Sequence, residues 1–314
     1  MNDHDFSRIK AFENWYINFS AFTEARNAIE NSLLQFKKTA VATHLLVVGE
    51  SGAGKSTLCE NIQQAHPKKS DREGDRIEVL KVCIPPASSL GGVADAMLIG
   101  LGDPAAKRGT LNQKIDRIIL LSRTCHVRMI ILDEAQHLYD RGNIATHYKI
   151  GDWFKHLIND LGVPTILVGL PRVEEILRIN DQLRRRFSSR YQLELGRSGK
   201  SVEHECLQIF LSLAQAAKVQ ISMDPYSPRD MSERIYCATD GRIAYMKKII
   251  MATLVLMIRG LQGPVTVGVL ESVFTKEIWW DAVGPLNPFN PKFQFRRLDR
   301  KGEPFEHTAI HAKR

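Results

Sequence analysis

A glycine-rich loop carries the clearest chemical signal in the sequence. Residues 49–57 read GESGAGKST and fit the pattern G-x-x-x-x-G-K-[ST], between an apolar run and a helical one. Glycines let successive backbone N–H groups face phosphate oxygens at the positive end of a helix dipole. Lys55 would then reach the β- and γ-phosphates, and the Ser56 hydroxyl would bind Mg²⁺. The predicted phosphate-binding residues are Gly49, Glu50, Ser51, Gly52, Ala53, Gly54, Lys55, Ser56 and Thr57.

Two adjacent carboxylates complete this chemistry. An apolar run at 129–132 ends in Asp133 and Glu134, 78 positions after Lys55. An aspartate at the tip of a neighbouring strand can hold the Mg²⁺ shell, and the next glutamate can orient or deprotonate a water. Together with the loop, the pair favours nucleotide hydrolysis over binding alone.

A parallel sheet would bring these two motifs together. Runs typical of strands buried on both faces lie at 42–48, 77–84, 129–132 and 165–168. Helical patterns lie between them, at 57–65, 93–101, 111–122 and 150–161. This alternation predicts an α/β fold, with a mostly parallel sheet between helices.

The remaining segments predict three further parts of the chain. Residues 1–40 read as a helical segment that packs on a core spanning 41–197. Helical patterns at 202–217, 227–239 and 243–259 predict a small all-helical domain over 198–262. Residues 263–314 are Pro- and Gly-rich, and positions 292–314 hold seven Lys or Arg against three Asp or Glu. Such an extension is either a solvated tail or a segment that orders on a partner.

Composition limits the class of protein. The chain has 314 residues, 44% of them hydrophobic, and a formal net charge of +8, which favours a polyanionic partner without establishing one. The five cysteines are odd in number and form no C-x-x-C pair, which excludes a dense disulfide framework and a cysteine-rich zinc module. The longest apolar stretch, at 249–258, is too short to cross a membrane. We therefore expect a cytoplasmic protein with no membrane partner.

Arginines distinguish between classes of phosphate-binding enzyme. Residues 183–187 read LRRRF near the end of the predicted core, where an arginine at a subunit boundary could enter a neighbour's site. Arg186 is our first choice, with Arg184 and Arg185 as alternatives and Arg190 as a further candidate. Arg242 opens a helix of the all-helical domain, from which an arginine could reach over the nucleotide.

The order of these motifs resembles that of AAA+ ATPases of the initiator and helper clade, and most closely the TnsC/TniB transposition ATPases. The resemblance covers roughly residues 10–262 and rests on GESGAGKST, IILDEAQHL, ILVGLP, QLRRRF and the Gly-Arg pair at 241–242. It implies an Mg²⁺-dependent ATPase with an AAA+ core and a helical lid, and the basic C-terminal tail lies outside it.

The resemblance also implies roles for individual residues. Lys55 and Ser56 would bind phosphate and Mg²⁺, Asp133 would hold the metal, and Glu134 would activate water. Arg186 would act in trans as the arginine finger, which enters the nucleotide site of a neighbouring subunit. Arg242 would be the sensor arginine of the lid, which reaches over the nucleotide. One position departs from the family: the strand starting at Thr165 ends in Gly-Leu-Pro, where many relatives carry a polar sensor residue.

The same resemblance implies partners. Transposition ATPases of this kind assemble as rings or helical filaments on double-stranded DNA and connect a target-selector protein to a transposase, with hydrolysis driving disassembly. Connections in the core would face the DNA, so Lys107, Arg108, Arg141 and Lys149 are candidate phosphate contacts, with little sequence preference. The phenylalanines among the cations of residues 285–314 would anchor the transposase.

Two other functions stay open at this point. An initiator or helicase-loader of the AAA+ class would use the same chemistry on another client. A P-loop kinase or signalling NTPase would never contact DNA. A two-domain helicase is excluded, because an all-helical C-terminal part leaves no room for a second RecA-like domain.

Overall fold

The computed structural model describes residues 3–71, 74–86, 89–140, 144–196, 199 and 201–306. The chain forms two compact units. Ala21–Leu193 make up one, and the described residues of Met1–Ser20 and Glu194–Arg314 make up the other. The division after Leu193 lies close to residue 197, where we predicted that the core ends.

Five parallel strands form the sheet of the first unit, in the order β4-β5-β6-β1-β7. They are β1 (Leu45–Val48), β4 (Val79–Cys83), β5 (Met129–Asp133), β6 (Thr165–Gly169) and β7 (Ser189–Gln192). Every residue of β1, β5 and β6 is buried. Because successive side chains of a strand point to opposite faces, both faces of the sheet are covered, as the apolar runs predict.

The register of the sheet aligns the carboxyl ends of its strands. Val48 at the end of β1 lies opposite Gly169 at the end of β6, and Asp133 at the end of β5 lies opposite Cys83 of β4. The residues that follow these strand ends therefore share one edge of the sheet, which is where ligands bind in open parallel sheets.

Helices alternate with these strands along the chain. They are α2 (Ser20–Thr39), α3 (Lys55–Ala65), α4 (Leu90–Gly100), α5 (Leu111–Thr124), α6 (Ile144–Leu161), α7 (Glu174–Ile179) and α8 (Asp181–Arg186). Short 3₁₀ turns at Ala135–Leu138 and Pro171–Val173 follow β5 and β6. Helices α3 to α6 match the predicted helical patterns, and α6 begins six residues earlier than its apolar pattern.

Three strands were not predicted from the sequence. The hairpin of β2 (Lys69–Asp71) and β3 (Gly74–Arg76) is polar, and β7 at the sheet edge reads SRYQ, with its side chains exposed or half-buried. Hydrophobic periodicity cannot find such strands, because their pairing comes from backbone hydrogen bonds rather than from a buried face.

The second unit is helical. Its long helices are α9 (Val202–Ala216), α10 (Pro228–Thr239), α11 (Ile243–Ile258) and α12 (Val267–Glu277). The first three match the predicted lid helices, whereas α12 lies inside the segment that we predicted as an extension. Helix α9 packs on α10 and α11, and α12 packs on α11.

The N-terminal helices belong to different units. Helix α1 (Asp3–Asn14) packs on α11, and Lys247 of α11 donates hydrogen bonds from Nζ to the carbonyl oxygens of Glu13 and Trp15. Phe12 of α1 is buried. The described residues up to Ser20 therefore group with the helical unit, and only the part from Ala21 onward groups with the core, as we predicted for the whole segment.

The tail corrects one of our expectations. Phe289, Phe293 and Phe305, which we expected to be free anchors for a partner, are at most 5% exposed, and only Phe295 presents much of its ring, at 40%. Asn287 is fully buried and donates from Nδ2 to Glu271 O and Thr275 Oγ1 of α12, at 2.9 and 3.0 Å. The segment after α12 thus folds onto its own unit, because apolar and amide groups of the tail find partners there.

No helix among the described residues combines the length and apolar character that crossing a membrane requires.

A histidine between two glutamates predicts pH-dependent stability of the first unit. His66 lies 2.9 Å from Glu30 through Nε2 and 2.8 Å from Glu78 through Nδ1. Burial lowers the pKa of His66, but the two carboxylates outweigh it, so the pKa lies above its ordinary value. The stabilisation is therefore fully present below pH ~6.5 and is lost as the pH rises through the pKa of the folded state.

We expect His66→Gln to lower the free energy of unfolding by roughly 1 kcal/mol near pH 6, the scale of a partly exposed ion pair, and by less at pH 9. Urea denaturation of both proteins at a series of pH values measures this difference. His204→Gln, at an exposed position, is the control. A difference that does not change between pH 6 and pH 9 contradicts the prediction.

Candidate nucleotide site

The glycine-rich loop connects β1 to α3, as its pattern predicts. Gly52 and Gly54 have φ angles of 81° and 95°, which a residue with a Cβ rarely adopts. Gly54 is the N-cap of α3, so Lys55 and Ser56 form the first turn of the helix. Their backbone N–H groups have no acceptor inside the helix and stay available to an anion.

Gly49 packs the start of this loop against the end of β6 and against Leu193, the residue after β7. Its N–H donates to Gly169 O at 3.2 Å, and a Cβ at Gly49 would lie 3.1 Å from the Cβ of Leu193. The same Cβ would lie 3.2 Å from Ala53 within the loop. Glycine therefore suits the close packing here, although the backbone at Gly49 itself is not left-handed.

Lys55 is buried within the loop that it follows. Its Nζ donates to the carbonyl oxygens of Gly49 and Glu50, both at 2.9 Å. Burial lowers the pKa of Lys55, and the carboxylates of Glu134 and Asp133 oppose that shift. The ammonium group is thus close to the carboxylate pair, and it can bind phosphate oxygens where it now binds carbonyl oxygens.

Asp133 and Ser56 meet at the end of β5. The Ser56 side chain lies near the Asp133 carboxylate and contributes to its pKa. Burial raises the pKa of Asp133, Glu134 adds to the increase, and the hydrogen bond from the Glu134 N–H, at 2.9 Å, and the Ser56 side chain oppose it. A divalent cation beside this carboxylate would stabilise its charged form.

The donor set fits Mg²⁺. A hydroxyl and a carboxylate offer the oxygen ligands that Mg²⁺ prefers, and phosphates and waters complete its octahedron in nucleotide sites. Within the described ranges, no group of three His, Cys, Asp or Glu side chains could hold a metal ion by itself. A cation at Ser56 and Asp133 would therefore depend on a bound nucleotide for further ligands.

Glu134 follows in an unusual backbone conformation. Its φ and ψ angles are 57° and 35°, a left-handed conformation that is uncommon for a residue other than glycine. Such strain is found at functional sites when the surrounding structure holds it in place. Here the carboxylate of the preceding residue, Asp133, accepts a hydrogen bond from the Glu134 N–H.

Gln136 is a site residue that sequence reasoning missed. It lies in the 3₁₀ turn after β5, is 2% exposed, and donates from Nε2 to Glu134 Oε2. Its Oε1 accepts the Leu170 N–H at 3.0 Å, at the end of β6. The DEAQ string contained the signal, but only the fold brings Gln136 against Leu170.

The three arginines of α8 have different environments. Arg184 pairs with Asp181 at 2.8 Å, and Arg186 is half-buried and turns toward Lys155 O of its own core, at 3.5 Å. The positive charge of Arg186 also contributes, after burial, to lowering the pKa of His44 to about 4. Arg185 is exposed and forms no hydrogen bond or ion pair with the residues that the structure describes. Arg190 pairs with Glu174 at 3.2 Å.

Arg242 lies in a charged cluster of the helical unit. Its Nη2 is 3.2 Å from Asp240 Oδ2, and its guanidinium lies 5.6 Å from the centre of the Phe305 ring. Arg297 of the tail forms a two-point ion pair with the same carboxylate, which is 3% exposed. The tail therefore helps to hold the predicted lid arginine.

The candidate DNA contacts lie on the surface of the first unit. Lys107 and Arg108 are exposed in the segment between α4 and α5, and Lys149 is exposed on α6. Arg117 steadies that segment through Asp103, at 2.8 Å, and through Arg108 O, at 3.1 Å. Arg141 lies outside the described residues.

Comparison with known proteins bears on this geometry. Residues 8–195, more than half of the chain, match the family model "Bacterial TniB protein". The chain belongs to the TniB family. No curated protein matches the sequence.

Solved structures share the fold. Aeropyrum pernix ORC2, in its ADPNP-ADP complexes, matches with a TM-score of 0.61 and 13% identity over 85% of this chain and 71% of that one. A. pernix ORC1 in complex with DNA matches with a TM-score of 0.50 and 15% identity, over 81% of this chain and 64% of that one. Domain III of the Thermotoga maritima replication initiation protein DnaA matches with a TM-score of 0.51 and 16% identity, over 88% of this chain and 98% of that one. These are likenesses of fold, and they confirm the predicted AAA+ architecture.

Lys55 gives the direct test of this site. We expect Lys55→Ala to weaken ATP binding about tenfold to a hundredfold, because charge-assisted hydrogen bonds to phosphate are removed. Titration with a fluorescent ATP analogue measures the affinity, and Lys69→Ala on the exposed hairpin is the matched control. Unchanged affinity in folded Lys55→Ala would place the nucleotide elsewhere.

Proposed function

We propose that this TniB-family protein is an ATP-dependent DNA-binding ATPase that assembles on target DNA and connects a target-selector protein to a DNA transposase. The observation that carries the proposal is the meeting of the glycine-rich loop, Asp133 and Glu134 at one edge of an AAA+ sheet. The family and the ADPNP-ADP complexes of the ORC2 neighbour support nucleotide use.

Each site residue has a task in hydrolysis. The loop N–H groups and Lys55 bind the phosphates, and Ser56 with Asp133 holds Mg²⁺, which neutralises phosphate charge when bound. The Glu134 carboxylate orients the attacking water and accepts its proton. Each of these tasks requires a group of this chain at the carboxyl edge of the sheet.

An arginine from a neighbouring subunit completes the site in this proposal. Arg185 is a better candidate than Arg186, because Arg185 is exposed while Arg186 turns toward its own core. An arginine that acts in trans makes hydrolysis depend on assembly, and head-to-tail contacts of this kind generate rings or filaments.

Mixed subunits test the composite site. Arg185→Ala binds ATP without a finger, and Lys55→Ala supplies a finger without ATP, so each alone is expected to be inactive. A one-to-one mixture should regain hydrolysis at roughly a quarter of its interfaces by random pairing. Phosphate release in the presence of DNA measures the activity.

A mixture of Lys55→Ala with Glu134→Gln is the control, because neither variant has an intact site and no interface can be rescued. If Arg185→Ala alone hydrolyses ATP like the wild type while Arg186→Ala is inactive, the finger is Arg186. If both arginine variants are fully active, the site is not shared between subunits.

The proposed DNA binding depends on positively charged side chains at the surface. Lys107, Arg108 and Lys149 are exposed, and the ORC1 neighbour was solved in complex with DNA. A few cations per subunit neutralise few phosphates, so ATP-dependent assembly would supply affinity by repeating weak contacts along one duplex. Binding of this kind depends strongly on salt and little on sequence.

We expect Lys107→Ala/Arg108→Ala to weaken ATP-dependent DNA binding. The slope of log K against log salt should become shallower by about 0.9 for each phosphate that the variant no longer neutralises. Fluorescence anisotropy on two unrelated duplexes, at several salt concentrations, measures both quantities. Lys38→Ala/Lys69→Ala removes two exposed cations elsewhere and is the control. Equal slopes in the two double variants would rule out this surface.

Transposase recruitment needs a surface other than the buried phenylalanines. Removing residues 285–314 would remove Phe289 and Phe305 and expose the apolar surface that their rings cover in the helical unit. The exposed cations Lys292, Arg300 and Lys301 stay available to a partner. Their alanine variants should no longer co-purify with the transposase and should keep DNA binding, whereas capture of a replicative helicase would favour the initiator or loader alternative.

A further inference from the structure

The space at the end of β6 excludes a side chain. A Cβ at Gly169 would lie 2.6 Å from Gln136 Oε1, 3.1 Å from the Gln136 N and 3.2 Å from the Ala135 N. Two of these three atoms belong to backbone, which cannot move aside as a flexible side chain can. A side chain at Gly169 would therefore require Gln136 to move and the turn after β5 to shift by a few tenths of an ångström.

Gln136 occupies that space instead, and its orientation is fixed. Because the Leu170 N–H is a donor, the side-chain atom that faces it must be the amide oxygen. The amide NH₂ then faces Glu134, whose carboxylate can only accept. One buried side chain thus joins the end of β6 to the glutamate that follows β5.

We propose that Gln136 is a positioning residue for hydrolysis. It holds the Glu134 carboxylate and thereby takes the place of the polar sensor residue that many relatives carry at the end of β6. This rests on the ATPase activity proposed above. The amide binds one carboxylate oxygen, Oε2, and leaves the other to face the water. At 2% exposure, Gln136 acts through Glu134 and does not itself touch the nucleotide.

A second contact joins the same two turns without touching Glu134. Arg172 of the Pro171–Val173 turn donates from Nε and Nη2 to the two carboxylate oxygens of Asp140, at 2.7 and 2.9 Å. It packs the turns together as Gln136 does, but it leaves the glutamate alone. Arg172→Ala therefore separates loss of packing from loss of positioning.

The experiment compares four variants as full-length protein with DNA present: Gln136→Met, Gln136→Glu, Gly169→Ala and Arg172→Ala. We expect Gln136→Met and Gly169→Ala to lower kcat about tenfold to a hundredfold, the factor for losing a hydrogen bond to a charged group. ATP affinity should change by less than about threefold, a change below that of one such bond. Arg172→Ala should lower the melting temperature with a much smaller effect on kcat.

Gln136→Glu keeps the shape of the side chain and its hydrogen bond to Leu170 but places two carboxylates together. The pair shares a proton, so the kcat–pH profile should gain an ionisation that is absent from the wild type and from Gln136→Met. A purely structural role would not move that profile. Gln262→Glu, at an exposed position, is the control.

Wild-type kcat in Gln136→Met, while Glu134→Gln is inactive, would overturn the inference. So would parallel losses of kcat, ATP affinity and melting temperature in the Gln136 and Arg172 variants. Failure of the proposed function would give a different result. In that case Glu134→Gln would turn over ATP at the wild-type rate, or Lys55→Ala would bind ATP normally.

Discussion

The hydrogen bond from the Gly49 N–H to Gly169 O brings the ends of β1 and β6 together, and the site depends on that approach. Neither residue has a side chain, and a Cβ on either would meet atoms at 3.2 Å or less. On one side of this contact lies the phosphate loop, and on the other lies the turn that carries Leu170. Close backbone packing is what places the nucleotide chemistry and the Gln136 bridge next to each other.

Charge balance governs the interior of the site. One buried ammonium, Lys55, lies near the carboxylates of Asp133 and Glu134, and burial opposes the charged form of both Lys55 and Asp133. Buried charges are tolerated when they are paired and hydrogen-bonded. In the proposed function, a nucleotide with its cation would add charges of both signs to the same region, and Lys55 would exchange its carbonyl partners for phosphate partners.

A similar arrangement holds the helical unit together around Asp240. Its carboxylate is almost fully buried and accepts from Arg242 and Arg297. The hydrogen bonds to Asp240 raise the pKa of Arg297. Arg234 adds hydrogen bonds to the carbonyl oxygens of Pro288 and Asn290, at 2.5 and 2.8 Å. The tail is therefore part of the folded unit that carries the predicted lid arginine.

The α/β core, the helical unit and the glycine-rich loop could be predicted from the amino-acid sequence, because they depend on local patterns: apolar runs, helical periodicity and glycines at fixed spacing. The environments of Gln136, Arg185 and Phe289 could not be predicted in this way. An amide that bridges two strand ends, an arginine exposed beside a half-buried one and a ring buried by distant helices all depend on residues far away in the chain. Composition made the tail look free, but the surface that receives it exists only once α10, α11 and α12 are packed.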